Sequence, residues 1–93
     1  MTITREEAHY DVIAAMAQYA RKDINLTHRF LEAVDQKIKD IEQFPESFPI
    51  KINNQYRRAI LPSFPYSIYY KIESENNITI CAILSNNLVQ KSF

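Results

Sequence analysis

The chain has no glycine, no tryptophan and a single cysteine, Cys81. Without glycine it can form no P-loop, no Gly-x-Gly-x-x-Gly dinucleotide turn and no Gly-x-Ser-x-Gly elbow. Each of these needs backbone freedom or a close approach that a Cβ forbids. One cysteine cannot close an internal disulfide, which fits a reducing compartment and gives a cytoplasmic expectation. Cys81, His9 and His28 are too few for a conventional structural zinc site, and no metal or organic cofactor is expected. No uncharged apolar run approaches the roughly 18 residues of a spanning helix, so no membrane segment is expected. Glu6, Glu7 and Asp11 fall where a signal peptide would be apolar, so no leader is expected either.

What is present is ordinary for a globular domain: 93 residues, 46% hydrophobic and 24% charged. A chain of this size buries roughly two-thirds of its surface on folding, enough for one core spanning 1–93 and not for two. Net charge is zero but unevenly placed. Residues 1–46 carry six basic and nine acidic side chains, and residues 47–93 carry five and two. Between Ser47 and Ile72 the charged residues are Lys51, Arg57, Arg58 and Lys71, with no acid among them. Overall neutrality argues against bulk nucleic-acid binding. The basic segment suits a local phosphate or an acidic partner.

The hydrophobic period changes along the chain. Thr4-Arg5-Glu6-Glu7 reads as a capping box. Ala8, Val12, Met16 and Tyr19, flanked by Ile13 and Ala20, then mark one helical face. Met1 to Ile3 is a candidate short edge strand. Asn25 or Thr27 is the expected cap of a second helix whose stripe is Phe30, Val34, Ile38 and Ile41, with Leu31 and Phe44 beside it. Pro45 and Pro49 end the helical half. Beyond them the period is two. Tyr56 to Leu61 is a candidate strand, followed by the turn Pro62-Ser63-Phe64-Pro65. Tyr66, Ile68, Tyr70 and Ile72 alternate with Ser67, Tyr69 and Lys71. Ile78, Ile80, Ala82 and Leu84 alternate with Thr79, Cys81 and Ile83, and Ile83 makes this strand apolar on both faces and therefore central. Asn53-Asn54, Asn76-Asn77 and Asn86-Asn87 fall at turns or strand ends, where asparagine can replace glycine at positive φ. The expectation is α+β: an N-terminal helical hairpin on a C-terminal antiparallel sheet of three to four strands, one sheet face partly open.

These residues resemble the RelE/ParE family of toxins from type II toxin–antitoxin modules over nearly the whole chain. Ala8-xx-Asp11, Arg29-Phe30-Leu31-Glu32-Ala33-Val34-Asp35, Phe44-Pro45-Glu46 and Phe48-Pro49 are similar to the family's helical half. The most specific match is Tyr56-Arg57-Arg58-Ala59-Ile60-Leu61 with Phe64-Pro65-Tyr66-Ser67-Ile68-Tyr69-Tyr70-Lys71-Ile72. The C-terminus departs from the pattern. Ser85 stands at the position of a family histidine, Leu88 at an arginine and Gln90 at a proline, while Phe93 fits the terminal aromatic.

The resemblance implies a protein toxin neutralised by a cognate antitoxin, with operator DNA bound only through the antitoxin complex. Three activities stay open: inhibition by binding a target such as DNA gyrase, ribosome-dependent cleavage of mRNA, and a non-toxic relative kept to bind an antitoxin. The ribonuclease chemistry needs a base, an acid and cations for the phosphorane. Arg57, Arg58 and Lys71 offer charge, and Tyr69 or Tyr70 a weak acid or a stacking ring. Neither histidine can be placed at the sheet. The candidate face is therefore Arg57, Arg58, Tyr69, Lys71 and Ser85, with Lys51, Tyr70 and Phe93 secondary. Arg57 and Arg58 point to opposite faces because they are neighbours on a strand. One is expected to pair with a helix carboxylate such as Asp11 or Asp35, and alternation does not say which. Tyr66 and Tyr70 read as core, His9 and His28 as helix surface, and Cys81 as a small buried hydrophobe.

Overall fold

The computed structural model describes residues 1–87. The elements run β1 (Thr2–Thr4), α1 (Glu6–Lys22), α2 (Ile24–Gln43), β2 (Ile50–Ile52), β3 (Tyr56–Ile60), β4 (Tyr66–Ser74) and β5 (Asn77–Ser85). This is the expected α+β hairpin-on-sheet, with more strands than expected. The sheet has five, ordered β1-β5-β4-β3-β2, and is mixed because β1 runs parallel to β5. The remaining pairs are antiparallel. None of the described helices is long and apolar enough to cross a membrane.

Strand β1 overturns the expected capping box. Thr4 is held in the ladder opposite Ile80, and the Arg5 amide donates to the Ile80 carbonyl at 3.0 Å. Helix α1 therefore starts from Arg5, with no side-chain cap. The second expected cap is also corrected. Asp23, a single extended residue, ends α1 and caps α2, its carboxylate accepting from the Asn25 amide at 2.9 Å. Thr27 is instead buried, its hydroxyl donating to the Met16 carbonyl across the hairpin at 3.4 Å.

The core lies between the hairpin and one sheet face. Ala8, Ala15, Phe30, Val34 and Ile41 meet Ala59, Ile68, Tyr70, Ile78, Ile80 and Ile83, with Val12, Met16, Tyr19 and Ile38 partly buried against them. Phe30 sits among Tyr19, Phe64 and Tyr66 at centroid distances of 5.3–5.4 Å. These tilted and edge-on contacts each add to the area buried. Ile13 and Phe44, expected beside the helical stripes, are exposed.

Strand β5 is central, as its pattern implied, and seven successive residues, Ile78 to Leu84, are buried. Its phase is not the expected one. Tyr69 pairs with Ala82 but Tyr70 pairs with Ile80, so Cys81 is an extra residue, a β-bulge. The bulge slips the alternation. Ile83, opposite Ile68, joins the core, while Ala82 and Leu84 turn to the second face. Nor is that face open at its centre, for Ser67, Cys81, Ala82 and Leu84 are all buried.

Left-handed backbone falls at Asn53 (φ 53°), Asn54 (φ 56°) and Asn76 (φ 62°), as expected of asparagine in a chain without glycine, and also at Ser63 (φ 67°). The Asn86–Asn87 pair does other work. Asn86 accepts from the Ser67 hydroxyl at 2.5 Å, and its amide donates to the Pro65 carbonyl at 2.8 Å. Asn76→Gly is expected to preserve or raise stability in urea unfolding. Asn76→Val should lower it by about 1–2 kcal/mol, the penalty for a Cβ-branched residue held left-handed.

Candidate functional site

The pairing of β3 with β4 separates the two arginines. Arg57 lies opposite Tyr70 and Arg58 opposite Tyr69. Arg57 and Tyr70 therefore share the helix-facing side, and Arg58 and Tyr69 the second side.

On the helix-facing side both residues hold the loop that leaves α2. Arg57 Nη1 donates to the Phe48 carbonyl at 2.7 Å and to the Glu46 carbonyl at 3.2 Å. These bonds go to loop carbonyls rather than to the expected helix carboxylate. Asp11 instead accepts from the Ile83 amide at 3.0 Å, at the stretch of β5 that β1 does not reach. Tyr70 is fully buried, and its hydroxyl donates to the Pro45 carbonyl at 2.5 Å. Burial pushes its pKa up to about 12, against an opposing pull from Arg57. It is a neutral core hydroxyl at physiological pH, as its phase suggested. Ser85, opposite Tyr66, also falls on this side. It borders a cleft of about 310 Å³ with Asp11, Ala14, Gln18 and Tyr66. The structure thus parts Arg57, Tyr70 and Ser85 from Arg58, Tyr69 and Lys71.

The second side carries a compact cationic and aromatic patch. Arg58 faces Tyr69 across the ladder, and Lys71, two residues on from Tyr69, reaches over the Tyr56 ring at 5.9 Å from its centroid. The patch is two cross-strand rows, each with one cation and one tyrosine. Lys71 is also bridged to Glu73 at 3.6 Å, and Glu73 accepts from Thr79 at 3.1 Å. The Lys71 charge is therefore largely answered. Arg58 differs: its Nε is buried with no hydrogen-bond partner among the described residues. A buried unpaired donor costs about 1–3 kcal/mol, so a group of this kind is a candidate for an external acceptor.

Tyr56, Glu73 and Thr79 complete the patch and were not singled out from the sequence. The signal was available, because each lies two residues along a strand from, or opposite, a residue already chosen. Cys81 is buried behind the patch, its thiol 3.5 Å from the Thr79 carbonyl. Burial raises its pKa, against the opposing charges of Arg5 and Lys71. This is the environment of an inert packing residue. Lys51 is exposed on the edge strand β2, which pairs with β3. Phe93, Leu88 and Gln90 lie outside the described residues. His9 and His28 are exposed on the helices, as expected.

Two stability measurements follow. Arg57→Ala is expected to lower unfolding free energy by about 2 kcal/mol, the usual scale for lost charge-assisted bonds. Arg58→Ala should leave stability within about 0.5 kcal/mol or raise it, because an unpaired buried donor is removed. The Tyr70 hydroxyl also gives a pH signature. Its folded pKa lies above the unfolded value of 10.0, so its stabilisation is complete below pH 10 and is lost as pH climbs through about 12. Tyr70→Phe is expected to be less stable at neutral pH and to lose this part of the alkaline dependence, as read by unfolding at stepped pH.

Comparison with known proteins places this geometry. The family model described as ParE toxin of type II toxin-antitoxin system, parDE, matches residues 5–87. No curated protein matches the chain. Among solved structures, a chain from "Chromosomal ParDE TA system from P. aeruginosa" superposes with a TM-score of 0.80 at 15% identity, covering 90% of this chain and 92% of that one. At that identity the likeness concerns the fold alone.

Proposed function

We infer function from a premise that the match over residues 5–87 supplies: the chain belongs to the ParE toxin family of type II toxin–antitoxin systems. On that premise we propose a toxin that arrests bacterial growth by binding a protein target, DNA gyrase being the leading candidate, and that a cognate antitoxin neutralises. The observation that carries the reading is the match of residues 5–87 to the ParE toxin model.

The patch geometry supports it. Arg58, Tyr69 and Lys71 form a surface suited to recognition: a cation whose Nε has no acceptor among the described residues, beside rings that can stack or accept a hydrogen bond. Ser85, at the position of a family histidine, lies on the opposite side of the sheet from Arg58. The one described carboxylate placed at the patch, Glu73, is engaged by Lys71 and Thr79. Transition-state charge and proton transfer would have to be brought together for RNA cleavage. These groups are instead dispersed or mutually occupied. A partner supplying a carboxylate or phosphate to the Arg58 guanidinium would gain a charge-assisted bond. An antitoxin covering the same patch would neutralise the toxin by competition.

The reading is tested by inducing the chain alone in a bacterium and assaying the purified protein on gyrase supercoiling. Growth arrest with a DNA-damage response, altered supercoiling and no new RNA 5′ ends is the expected result. Arrest with codon-phased message cleavage would make the protein a ribonuclease instead. No arrest from folded protein would leave antitoxin binding as its role.

A further inference from the structure

Helix α1 has a second face that is not used in packing against the described residues. Its buried side is Ala8 and Ala15, with Val12, Met16 and Tyr19 beside them. The opposite side should be charged in a surface helix. Between His9 and Arg21 the only charged side chain is Asp11, and it is turned to the Ile83 amide. The outward positions are Tyr10, Ile13, Ala14, Ala17 and Ala20. Tyr10 is 61% and Ile13 59% exposed, and the three alanines are exposed as well. Spacings of three and four residues make these positions one continuous ridge of about three turns.

The two ends of the ridge differ in charge and in bulk. Glu6 and Glu7 occupy the first turn, Arg21 and Lys22 the last. The large side chains Tyr10 and Ile13 lie toward the acidic end, and the small Ala17 and Ala20 toward the basic end. Tyr10 is held along the ridge by its hydroxyl, which donates to Glu6 at 3.1 Å. Such a surface is complementary to itself when reversed. In an antiparallel pair centred between Ile13 and Ala14, Tyr10 lies over Ala17 of the second copy and Ile13 over its Ala14. Glu6 meets Arg21 of the second copy at both ends. The alanines permit close approach of the two helices, near the short end of the usual 8–10 Å spacing.

We propose that α1 is a self-association surface, on which a second copy of this chain packs its own α1 antiparallel about a two-fold axis. The two-fold arrangement uses each feature twice, as an isologous interface requires. One helix face is smaller than the ~800 Å² per partner of a standard stable interface. The dimer is accordingly weak, with a dissociation constant on the order of micromolar, and salt-sensitive through its terminal charge pairs. The inference is independent of the target proposed above, and its test involves neither growth nor gyrase.

The test is sedimentation of the purified full chain from low micromolar to several hundred micromolar, at low and high salt. A concentration-dependent dimer that weakens with salt is expected. Ala17→Glu should shift dissociation at least tenfold by placing charge under Tyr10, with unchanged circular dichroism and melting temperature because Ala17 is exposed. Glu6→Lys and Arg21→Glu should each weaken the dimer several-fold, and the double reversal should restore it. A chain that stays monomeric throughout would overturn the proposal, as would a dimer indifferent to Ala17→Glu or a double reversal that fails to rescue. A monomeric chain whose capture by its antitoxin is lost in Ala17→Glu would also overturn it, by assigning the ridge to the antitoxin.

Discussion

Burial of strand β5 on both faces is the constraint on which the other elements depend. Its seven successive buried residues need a partner on each edge and cover on each side. Strand β4 supplies one edge over its full length. The other edge is divided: β1 pairs with Ile78 to Ile80, and beyond β1 the Asp11 carboxylate takes the Ile83 amide. That division explains why α1 begins where it does. The chain must leave the ladder at Arg5 for Asp11, one and a half turns into the helix, to reach the free end of β5. The sheet edge thus sets the helix start, in place of a side-chain cap.

The bulge at Cys81 decides what each face of the sheet contains. Before it, Ile78 and Ile80 point into the core. After it, Ile83 continues that role and Ala82 and Leu84 move to the second face. Without the slip, Ile83 would leave the core and Ala82 would face Phe30 and the helices, exchanging a branched side chain for a methyl. The second face consequently has a buried floor of Ser67, Cys81, Ala82 and Leu84, on whose margin Arg58, Tyr69 and Lys71 stand. The first face is bound to stability through Arg57 and Tyr70, which pin the Pro45, Glu46 and Phe48 carbonyls of the loop after α2. Two neighbouring arginines thus divide between the two sides of the sheet, Arg57 holding the loop and Arg58 joining the second-side patch.

Much of this was legible in the sequence, for identifiable reasons. The α2 stripe of Phe30, Val34, Ile38 and Ile41 and the alternation through Tyr66 to Ile72 follow from periodicity, and both survive in the structure. Asparagine at Asn53, Asn54 and Asn76 follows from the absence of glycine. The bulge was not legible, because Ile80-Cys81-Ala82-Ile83 is apolar throughout and a one-residue slip leaves no mark in such a run. A short edge strand was legible at Met1 to Ile3, but its parallel pairing was not, because its partner lies more than 70 residues away. The caps were misplaced because Thr4 is claimed by the ladder and Thr27 by the core. The roles of Arg57 and Arg58 could not be read because neither set on β3, Tyr56-Arg58-Ile60 or Arg57-Ala59, is uniformly apolar. Only pairing with β4 assigns them.

The division of labour across the sheet is most directly tested at Arg58. We propose that Arg58, on the second side of the sheet, contacts the target, so growth arrest should be compared between wild type and Arg58→Ala at equal levels of folded protein. The expected result is a variant that melts like wild type and no longer arrests growth. An equally stable Arg58→Ala protein that arrests growth as wild type does would contradict the assignment of function to this face.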